Sequence, residues 1–453
     1  MSEKESTKKK LFIPLRPTFH QIMTIKEIYS LFKQHPTVTT DTRNCKENSI
    51  FIALKGDRFN GNEFVEQAIK EGCGYAITDE AKYATGSQII LVDNCLQTLQ
   101  ELASYHRKQV GTPVIGITGS NGKTTTKELL AAVLSTQYNT LYTEGNLNNH
   151  IGVPLTLLQL TAEHEVAIIE MGANHPGEIK TLANIALPDY GLITNVGKAH
   201  LEGFGSFEGV LKTKGELYDY IRDTQGTVFI HSGNGHLNGM ITSGVSKVSY
   251  GRNDDDFIRG EITGLSPFVS LQWSCAEGKY AIDTQLIGDY NMDNVLAAIA
   301  IGKFMGITTE NIGTAIASYV PRNSRSQLQK TSRNHLIIDA YNANPTSMIA
   351  ALENFKNIQT PLSKVLILGD MKELGDGSRE EHRKVVDFIR TMSVEKVFFL
   401  GDSFAEVAAE EPYQTFTDNA RLYAQLQQDN LNGCYILIKG SRSMQLEKTV
   451  ELL

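Results

Sequence analysis

The sequence has few cysteines, and their arrangement excludes two common roles. The 453 residues include five cysteines, which are Cys45, Cys73, Cys95, Cys275 and Cys434. An odd number of widely spaced cysteines without a C-x-x-C pair argues against both a disulfide framework and a zinc site. We therefore expect reduced thiols and a cytoplasmic location.

Long apolar runs and an excess of basic residues are also missing. No segment approaches the roughly 20 apolar residues that span a bilayer, so we expect no membrane insertion. The apolar "LFIPL" near the N-terminus is too short for a secretory signal, and we expect residues 1–22 to be a flexible extension. The net charge of −8 argues against a nucleic-acid partner, because binding phosphates favours a basic face.

The length of the chain suits several domains, and its patterns predict three, all of the α/β class. Residues 1–110 mix short strands and helices and end at a Gly-Thr-Pro break. Residues 111–320 contain continuous apolar strands, which predict a mostly parallel sheet covered on both faces. Residues 321–453 alternate apolar strands with helical patterns, which predicts a Rossmann-like α/β domain.

One part of the central domain is expected to have antiparallel strands instead of parallel ones. Between residues 225 and 287, strand-like segments such as "GTVFIHS", "SKVSYG", "VSLQWS" and "YAIDTQLIG" follow one another. We interpret this region as an antiparallel part of the same domain. The helical segment "NVLAAIAIGKFMG" then ends on glycine, as helices often do.

The segment "GITGSNGKTTTKELL" follows a short strand and opens a helix, which is the context of a phosphate-binding loop. The common P-loop, G-x-x-x-x-G-K-[ST], would require glycine in place of Ile117. Gly119 and Gly122 still allow backbone N–H groups to face a phosphate chain. Lys123 would neutralise phosphate charge, and the Thr124 hydroxyl is a suitable Mg²⁺ ligand. The segment, hereafter the glycine loop, predicts a nucleotide site.

Three residues outside the glycine loop admit two interpretations each. Glu170 ends an apolar strand, where a carboxylate either binds Mg²⁺ or caps the following turn. His200 also follows a strand, and a single histidine is more often structural than a ligand. Lys214 has the pattern of an ordinary exposed helix lysine.

Polar residues also follow the strands of the C-terminal domain. They are Asp339, Asn342, Asn344, Asp370, Lys439 and Arg442. Ligands of open α/β sheets bind beyond the carboxyl ends of the strands, so we expect these side chains to line a cleft that faces the nucleotide, unless they cap helices.

Together, these motifs resemble the Mur ligase family of ATP-dependent amide-forming enzymes. "TGSNGKTTT" matches the family's T-G-[ST]-N-G-K-T-[TS], and "EMGANHPGEI", "ITNVGKAHLEGFGS", "KGEL" and "NMDNVLAAIAIG" occur in the family's order. "DAYNANPTSM", "LGDMKELG" and "KGSRSMQLE" are similar to the branch that adds D-alanyl-D-alanine to UDP-N-acetylmuramoyl-tripeptide. The resemblance implies a UDP-sugar-binding first domain, a P-loop-type ATPase domain and a C-terminal ligase domain.

The resemblance also implies roles for individual residues. Phosphates of ATP would bind Gly119, Ser120, Asn121, Gly122, Lys123, Thr124 and Thr125. Thr124 and Glu170 would hold one Mg²⁺, and His200 would serve a second. Lys214 stands where the family has a carbamylated lysine near the metal. The implied catalytic residues are Lys123, His200 and Lys214.

Carbamylation sets a chemical condition on Lys214. Carbon dioxide reacts only with the neutral amine, and a free lysine with a pKa of about 10.4 is roughly one part in a thousand neutral near pH 7. We therefore expect a site that lowers the pKa of Lys214 or stabilises its carbamate.

Further contacts with nucleotide and substrate follow from the same resemblance. Nucleotide contacts are implied for Asn291, Asn294, Arg325 and Asp339, and substrate contacts for Thr42, Arg43, Asn342 and Asn344. Three positions depart from the family: Asn62 and Tyr290 replace histidines, and Ser324 occupies a turn that usually has glycine.

Alternatives remain at this point. Another ligase of the superfamily fits the loop, but the D-N-P-[RK] signature of the ligase that adds the third amino acid is missing, and a folylpolyglutamate synthetase would lack the first domain. A nucleotide-dependent regulatory ATPase would leave the first and third domains unexplained. The expected partners are the UDP-linked tripeptide, with lysine or diaminopimelate as its third residue, and D-alanyl-D-alanine. We expect a monomer.

Overall fold

The computed structural model describes residues 22–265, 267–322 and 324–453. All but the last residue of the expected N-terminal extension lies outside these ranges. The chain divides into two compact units, the first ending at Leu102 and the second running over Ala103–Leu453. The predicted boundaries near residues 110 and 320 stay predictions.

The first unit is built on a parallel sheet with strand order β1-β2-β5-β6. Its strands are β1 (Val38–Thr39), β2 (Ile50–Ile52), β3 (Lys55–Gly56), β4 (Phe59–Asn60), β5 (Tyr75–Thr78) and β6 (Ile89–Leu91), of which β3 and β4 form a separate hairpin. Its helices are α1 (Ile25–Phe32), α2 (Val65–Lys70) and α3 (Cys95–Val110), within which the division into units falls. Strand β2 is buried throughout, as continuous apolar runs in parallel sheets are.

The second unit contains a nine-stranded sheet in its described residues, with strand order β15-β14-β13-β12-β11-β10-β7-β9-β8. The strands are β7 (Val114–Thr118), β8 (Thr140–Tyr142), β9 (Val166–Glu170), β10 (Tyr190–Ile193), β11 (Thr227–His231), β12 (Ser246–Gly251), β13 (Ile258–Gly264), β14 (Ser270–Cys275) and β15 (Gly278–Asp283). The helices are α4 (Lys123–Leu134), α5 (Gly152–Leu157), α6 (Glu178–Ala186), α7 (Leu201–Phe204), α8 (Phe207–Asp223), α9 (Gly235–Met240), α10 (Asn291–Phe304) and α11 (Thr309–Ser318).

The expectation of an antiparallel region over residues 225–287 is only partly right. Strands β13, β14 and β15 pair in antiparallel fashion, but β11 pairs in parallel with β10 and β12. Helix α8 lies between β10 and β11, and helix α9 lies between β11 and β12. Each helical connection returns the chain to the end of the sheet where the previous strand began, as parallel pairing requires. The segments of β11, β12, β14 and β15 were predicted and that of β13 was missed, and strand-like patterns do not encode the direction of pairing.

The central strands β7 and β9 place two predicted site elements side by side. Both strands are buried at every position and pair in parallel, with Ile117 opposite Glu170. The glycine loop leaves the carboxyl end of β7, and Glu170 is the last residue of β9. Parallel pairing therefore brings the loop and the carboxylate to one edge of the sheet.

A second sheet in this unit has strand order β16-β17-β21-β18-β19-β20 and is parallel except at β16. Its strands are β16 (Gln327–Lys330), β17 (His335–Asp339), β18 (Ser363–Gly369), β19 (Lys396–Leu400), β20 (Gln414–Phe416) and β21 (Cys434–Lys439). Helices α12 (Pro345–Asn357), α13 (Ser378–Ile389), α14 (Asp402–Val407) and α15 (Asn419–Asp429) connect them. Apolar clusters cover both faces of this sheet, in agreement with the predicted Rossmann-like arrangement.

No helix in the described ranges is long and apolar enough to cross a membrane.

Candidate active site

Two glycines of the glycine loop occupy positions where a side chain would clash. Gly119 has φ +145°, and a Cβ there would lie 2.0 Å from Oγ1 of Thr194. Gly122 has φ +79°, and its Cβ would lie 2.4 Å from Oδ1 of Asn294. Close approach of neighbouring strands and helices, together with positive φ, therefore explains both glycines.

The loop is anchored on the segment that follows β10. The Ser120 backbone N–H donates to the Asn195 carbonyl at 3.0 Å, and the Asn121 N–H donates to the Asn195 side-chain oxygen at 3.0 Å. The Thr194 hydroxyl donates to the Asn121 carbonyl at 2.6 Å, and Gly197 N–H donates to the Ser120 hydroxyl at 2.9 Å. These bonds anchor the loop to the segment that follows β10.

Lys123 begins α4 and folds back over the loop. Its ammonium donates to the carbonyls of Gly119 and Ser120 at 2.6 and 3.4 Å. Burial lowers the pKa of Lys123, and the charge of Arg325 acts in the same direction, against that of Glu170. Thr125 follows in the first turn and is half-buried. The helix start and the lysine together form a cationic surface suited to phosphate.

Thr124 and Glu170 form a buried hydroxyl–carboxylate pair. The Thr124 hydroxyl donates to Oε2 of Glu170 at 2.9 Å, and the Asn148 side-chain amide donates to Oε1 at 2.8 Å. The side chains are 4% and 2% exposed, respectively. Two hard oxygen ligands beside a phosphate loop fit Mg²⁺, which takes its other ligands from water and phosphate. Asn148 was missed, although the polar run "GNLNN" after β8 was a usable signal.

His200 is paired with a residue of the C-terminal sheet. Its Nδ1 forms a short hydrogen bond with the Glu373 carboxylate, and the backbone N–H of Glu202 donates to the Glu373 carbonyl at 3.2 Å. The bond to His200 lowers the pKa of Glu373. Glu373 lies within "LGDMKELG" but carried no prediction of its own. Across the described residues, no three His, Cys, Asp or Glu side chains converge on one point.

Lys214 is not the exposed helix lysine that its local pattern indicated. It lies on α8 and is 2% exposed. Burial, and next the positive charge of Lys123, lower the pKa of Lys214 to about 7. A lysine with a pKa near 7 has a substantial neutral fraction at pH 7, and the neutral amine is the form that reacts with carbon dioxide. The prediction that Lys214 is exposed was wrong because the face of α8 that carries Lys214 is buried against the site. The spacing of apolar residues along the helix does not reveal this burial.

Asn291 and Asn294 are directed towards the protein interior. Asn294 donates to the Asn291 side-chain oxygen at 2.9 Å and accepts from the Thr126 hydroxyl at 3.0 Å. Asn291 donates to the Ile287 carbonyl at 2.8 Å. Asn294 is the side chain that leaves no room for a Cβ at Gly122. The pair therefore holds the loop against α10, and nucleotide contacts by these residues stay predictions.

The segment before β16 brings Arg325 to the site. Ser324 has φ +56°, so serine adopts the turn conformation that usually selects glycine. The Arg325 guanidinium stacks on the Tyr341 ring at 3.8 Å, and its Nε has no hydrogen-bond partner among the described residues. Asp339 accepts from Ser326 N–H at 3.1 Å and from the Lys439 ammonium at 2.5 Å.

A cleft of about 160 Å³ separates the His200 segment from the C-terminal sheet. It is lined by Ala199, His200, Asn342, Ala343, Asn344, Lys372, Glu373, Ser441, Arg442 and Ser443, and we name it the acceptor cleft. Asn342 and Asn344 thus lie where the polar strand ends predicted a cleft. Lys372 and Arg442 are exposed on it, and the Lys372 ammonium is paired with the buried Asp370 carboxylate at 3.1 Å.

Thr42 and Arg43 lie in the first unit, on a short 3-10 helix over Thr42–Asn44. Arg43 is exposed and forms a 2.6 Å ion pair with Asp41. Asn62, which replaces a family histidine, is fully buried and accepts from the Thr78 hydroxyl at 2.5 Å while donating to Asp79 at 2.8 Å. Its side chain therefore has a structural role within this unit.

A strand, a glycine loop and a helix beside a buried Thr–Glu pair form the arrangement that is expected of a nucleotide-phosphate site. Three family models match the chain in sequence. The Mur ligase family, catalytic domain, matches residues 36–107; the Mur ligase middle domain matches residues 117–302; and the Mur ligase, glutamate ligase domain, matches residues 324–442.

Individual proteins match over nearly the whole chain. The UDP-N-acetylmuramoyl-tripeptide--D-alanyl-D-alanine ligase of Bacillus subtilis (strain 168) is 36% identical over 424 residues, covering 91% of this chain and 92% of that protein. The protein of the same name from Escherichia coli (strain K12) is 37% identical over 426 residues, covering 92% and 93%. A crystal structure of MurF from Acinetobacter baumannii superposes with a TM-score of 0.84 at 32% identity, covering 92% of both chains. The chain therefore belongs to the Mur ligase family.

Proposed function

We propose that this protein is the ATP-dependent ligase that joins D-alanyl-D-alanine to UDP-N-acetylmuramoyl-tripeptide and releases ADP and phosphate. The observation that carries the proposal is the similarity to ligases of that name across more than nine-tenths of both chains. The site supports it, because a phosphate loop and a cleft with charges of both signs lie beside each other in one unit.

In the proposed reaction, the terminal carboxylate of the tripeptide attacks the γ-phosphate of ATP, and ADP leaves. A carboxylate is a poor electrophile, and its conversion into an acyl phosphate makes phosphate the leaving group. The amine of D-alanyl-D-alanine then attacks the acyl carbon, and the tetrahedral intermediate expels phosphate. Both partners of the first step are anionic, so their approach requires cationic groups. Lys123 supplies one of them at the start of α4.

Thr124 and Glu170 are the residues that would hold Mg²⁺, and His200 is proposed to serve a second ion. When bound, Mg²⁺ would neutralise phosphate charge in this site. Lys214 is proposed to carry a carbamate, which converts a buried cation into an anion beside the metal. The lowered pKa of Lys214 supports this, because it leaves amine free to capture carbon dioxide near pH 7.

The acceptor cleft is proposed to bind the dipeptide. D-alanyl-D-alanine is a zwitterion before its amine is deprotonated, and it requires a cationic group for its carboxylate. Lys372 and Arg442 offer that charge, while Asn342 and Asn344 offer polar groups on the side of the glycine loop. The amine would then face the loop, where the acyl phosphate forms.

The experiment that tests the proposal measures phosphate release from ATP with purified protein, UDP-N-acetylmuramoyl-tripeptide and D-alanyl-D-alanine, with each substrate omitted in turn. We expect release only when both substrates are present, with the pentapeptide product visible by mass spectrometry. Release from ATP alone, indifferent to both substrates, would contradict the ligase and favour the regulatory ATPase. Both tripeptides, with lysine and with diaminopimelate, are included.

The other superfamily ligases are tested in the same assay with a folate and glutamate as substrates. Folylpolyglutamate synthase from Thermotoga maritima shares the fold with a TM-score of 0.59, but its 12% identity supports no statement about activity. The remaining predictions of a cytoplasmic monomer, without nucleic acid and without membrane insertion, stay part of the proposal.

A further inference from the structure

The first unit brings together two cysteines that are 28 positions apart in the chain. Cys45 directly follows the 3-10 helix over Thr42–Asn44, and Cys73 lies in the turn between α2 and β5. Their sulfur atoms are 2.8 Å apart. This contact could not be predicted from the sequence, because dispersed cysteines without a spacing motif carry no pairing information.

The distance between the sulfur atoms of Cys45 and Cys73 is close to that in a disulfide bond. A disulfide has an S–S distance of about 2.05 Å, so the two sulfur atoms need to approach each other by only about 0.8 Å. Small rotations about the side-chain bonds produce a shift of that size. The two side chains therefore lie within reach of a cross-link.

The two cysteines differ in how far they are buried. Cys73 is 2% exposed, and its sulfur lies 3.1 Å from the Ser49 hydroxyl. Cys45 is half-buried, so part of this residue is open to solvent. Burial, followed by the contact with Cys73, raises the pKa of Cys45 to about 12. The raised pKa leaves little thiolate, so the pair reacts slowly with mild oxidants and stays reduced until oxidant is abundant.

We propose that Cys45 and Cys73 form a reversible intramolecular disulfide, a modification site for peroxides and low-molecular-weight disulfides. With hydrogen peroxide, one thiol is oxidised to a sulfenic acid and one water is released. The second thiol displaces the hydroxyl group, which forms the S–S bond and releases a second water. Two thiols lose two electrons and two protons, and the O–O bond of one peroxide molecule breaks. A dithiol reductant reverses the cross-link.

The cross-link would restrain a segment with a predicted substrate role. Cys45 is two residues from Arg43 and three from Thr42, so the disulfide ties both to the turn before β5. This consequence rests on the proposed function, whereas the disulfide itself does not. We expect oxidation to change the KM for the UDP-linked tripeptide at least about twofold and to leave the KM for ATP unchanged, because ATP binds at the glycine loop.

The test treats the full-length protein with hydrogen peroxide or diamide, blocks free thiols, and maps peptides by mass spectrometry without reduction. We expect a peptide that links Cys45 to Cys73, lost after dithiothreitol, with two fewer titratable thiols. The oxidised protein should also melt about 5 °C higher at its first transition, because the cross-link restricts the unfolded chain. The matched variants Cys45→Ser and Cys73→Ser should show neither change, and Cys95→Ser, which alters a buried thiol of the same unit, should retain both.

Different results would contradict the disulfide, its effect on substrate binding and the proposed function. Oxidation that leaves Cys45 and Cys73 unlinked, or that stops at a sulfenic or sulfinic acid on Cys45 alone, would overturn the disulfide. A linked protein with an unchanged KM for the tripeptide would overturn the effect on substrate binding. Reduced wild-type protein without ligase activity would contradict the proposed function, while the peptide map would still decide the disulfide.

Discussion

The side-chain amide of Asn344 donates a 2.7 Å hydrogen bond to the side-chain oxygen of Asn121. Asn344 is the N-cap of α12, where its oxygen accepts from the Ser347 N–H at 2.9 Å, and Asn121 belongs to the glycine loop. One side chain therefore caps a helix of the C-terminal sheet and contacts the predicted phosphate site. Beside this contact, Lys198 forms a 2.9 Å ion pair with Glu381 of α13.

The first prediction separates the two roles of Asn344. Asn344→Asp retains the capping oxygen but loses the N–H donor towards Asn121. We expect kcat/KM to fall about three- to tenfold, as for the loss of one hydrogen bond, while the melting temperature stays near that of the wild type. The control is Asn234→Asp, the same change at the N-cap of α9. An equal loss of activity in the control would contradict the prediction.

The second prediction concerns Lys214. Its lowered pKa leads us to expect a carbamate signal in ¹³C NMR after incubation with ¹³C-bicarbonate, absent from Lys214→Ala. That variant should lose at least about a hundredfold in kcat, with partial recovery on addition of a short carboxylic acid, since a charged group in a catalytic site contributes several kcal/mol. Lys212→Ala, on an exposed position of α8, is the control. Full activity of Lys214→Ala without added acid would exclude the carbamate.

The third prediction concerns the hydroxyl–carboxylate pair. Glu170→Gln removes the charge that accepts hydrogen bonds from Thr124 and Asn148. We expect Mn²⁺ binding in the presence of ADP, measured by electron paramagnetic resonance, to weaken at least about tenfold. Glu144→Gln, at an exposed carboxylate that follows β8, should bind Mn²⁺ like the wild type. Unchanged Mn²⁺ affinity in Glu170→Gln would remove Glu170 from the metal site.

The fourth prediction tests the acceptor cleft with a matched pair of substrates. The wild type should prefer D-alanyl-D-alanine to its C-terminal amide, because the amide lacks the charge that Lys372 and Arg442 would bind. Arg442→Ala should reduce that preference about tenfold or more, since charge-assisted hydrogen bonds are stronger than neutral ones. Arg421→Ala, on α15, serves as the control. If Arg442→Ala discriminates between acid and amide like the wild type, the carboxylate binds elsewhere.

The fifth prediction concerns stability and pH. His382 is fully buried, accepts from the Met371 N–H at 3.0 Å and donates to the Ser378 carbonyl at 2.7 Å, so its ring is neutral. Burial lowers the pKa of His382, so the unfolded chain takes up a proton at a higher pH than the folded protein does. The contribution of His382 is complete above its unfolded pKa of about 6.5 and is lost as pH falls through the lower folded value.

We therefore expect the free energy of unfolding, measured with urea between pH 8 and pH 5, to decline below about pH 6.5. His382→Gln should be less stable at pH 8 but should decline less steeply. His236→Gln, at an exposed ring on α9, should follow the wild type. Equal slopes for His382→Gln and the wild type would show that His382 does not cause the acid sensitivity.

The sequence by itself determined those features that depend on neighbouring residues. The glycine loop was predicted from residues 116–130 because a strand, two glycines, a lysine and a threonine act within a few positions of one another. The family resemblance implied a turn at Ser324 that usually has glycine, and the φ of +56° at Ser324 agrees with it, because a turn conformation is a local property. The α/β class followed from the lengths and apolar patterns of strands and helices.

Only the tertiary structure decided the features that depend on which segments meet. The pairing of His200 with Glu373, the burial of Lys214, the contact between Cys45 and Cys73 and the parallel direction of β11 all join or orient segments that are distant in the chain. Sequence periodicity shows which face of an element is apolar, but it does not show what packs on that face. Long-range packing sets burial, and burial in turn sets the pKa of Lys214.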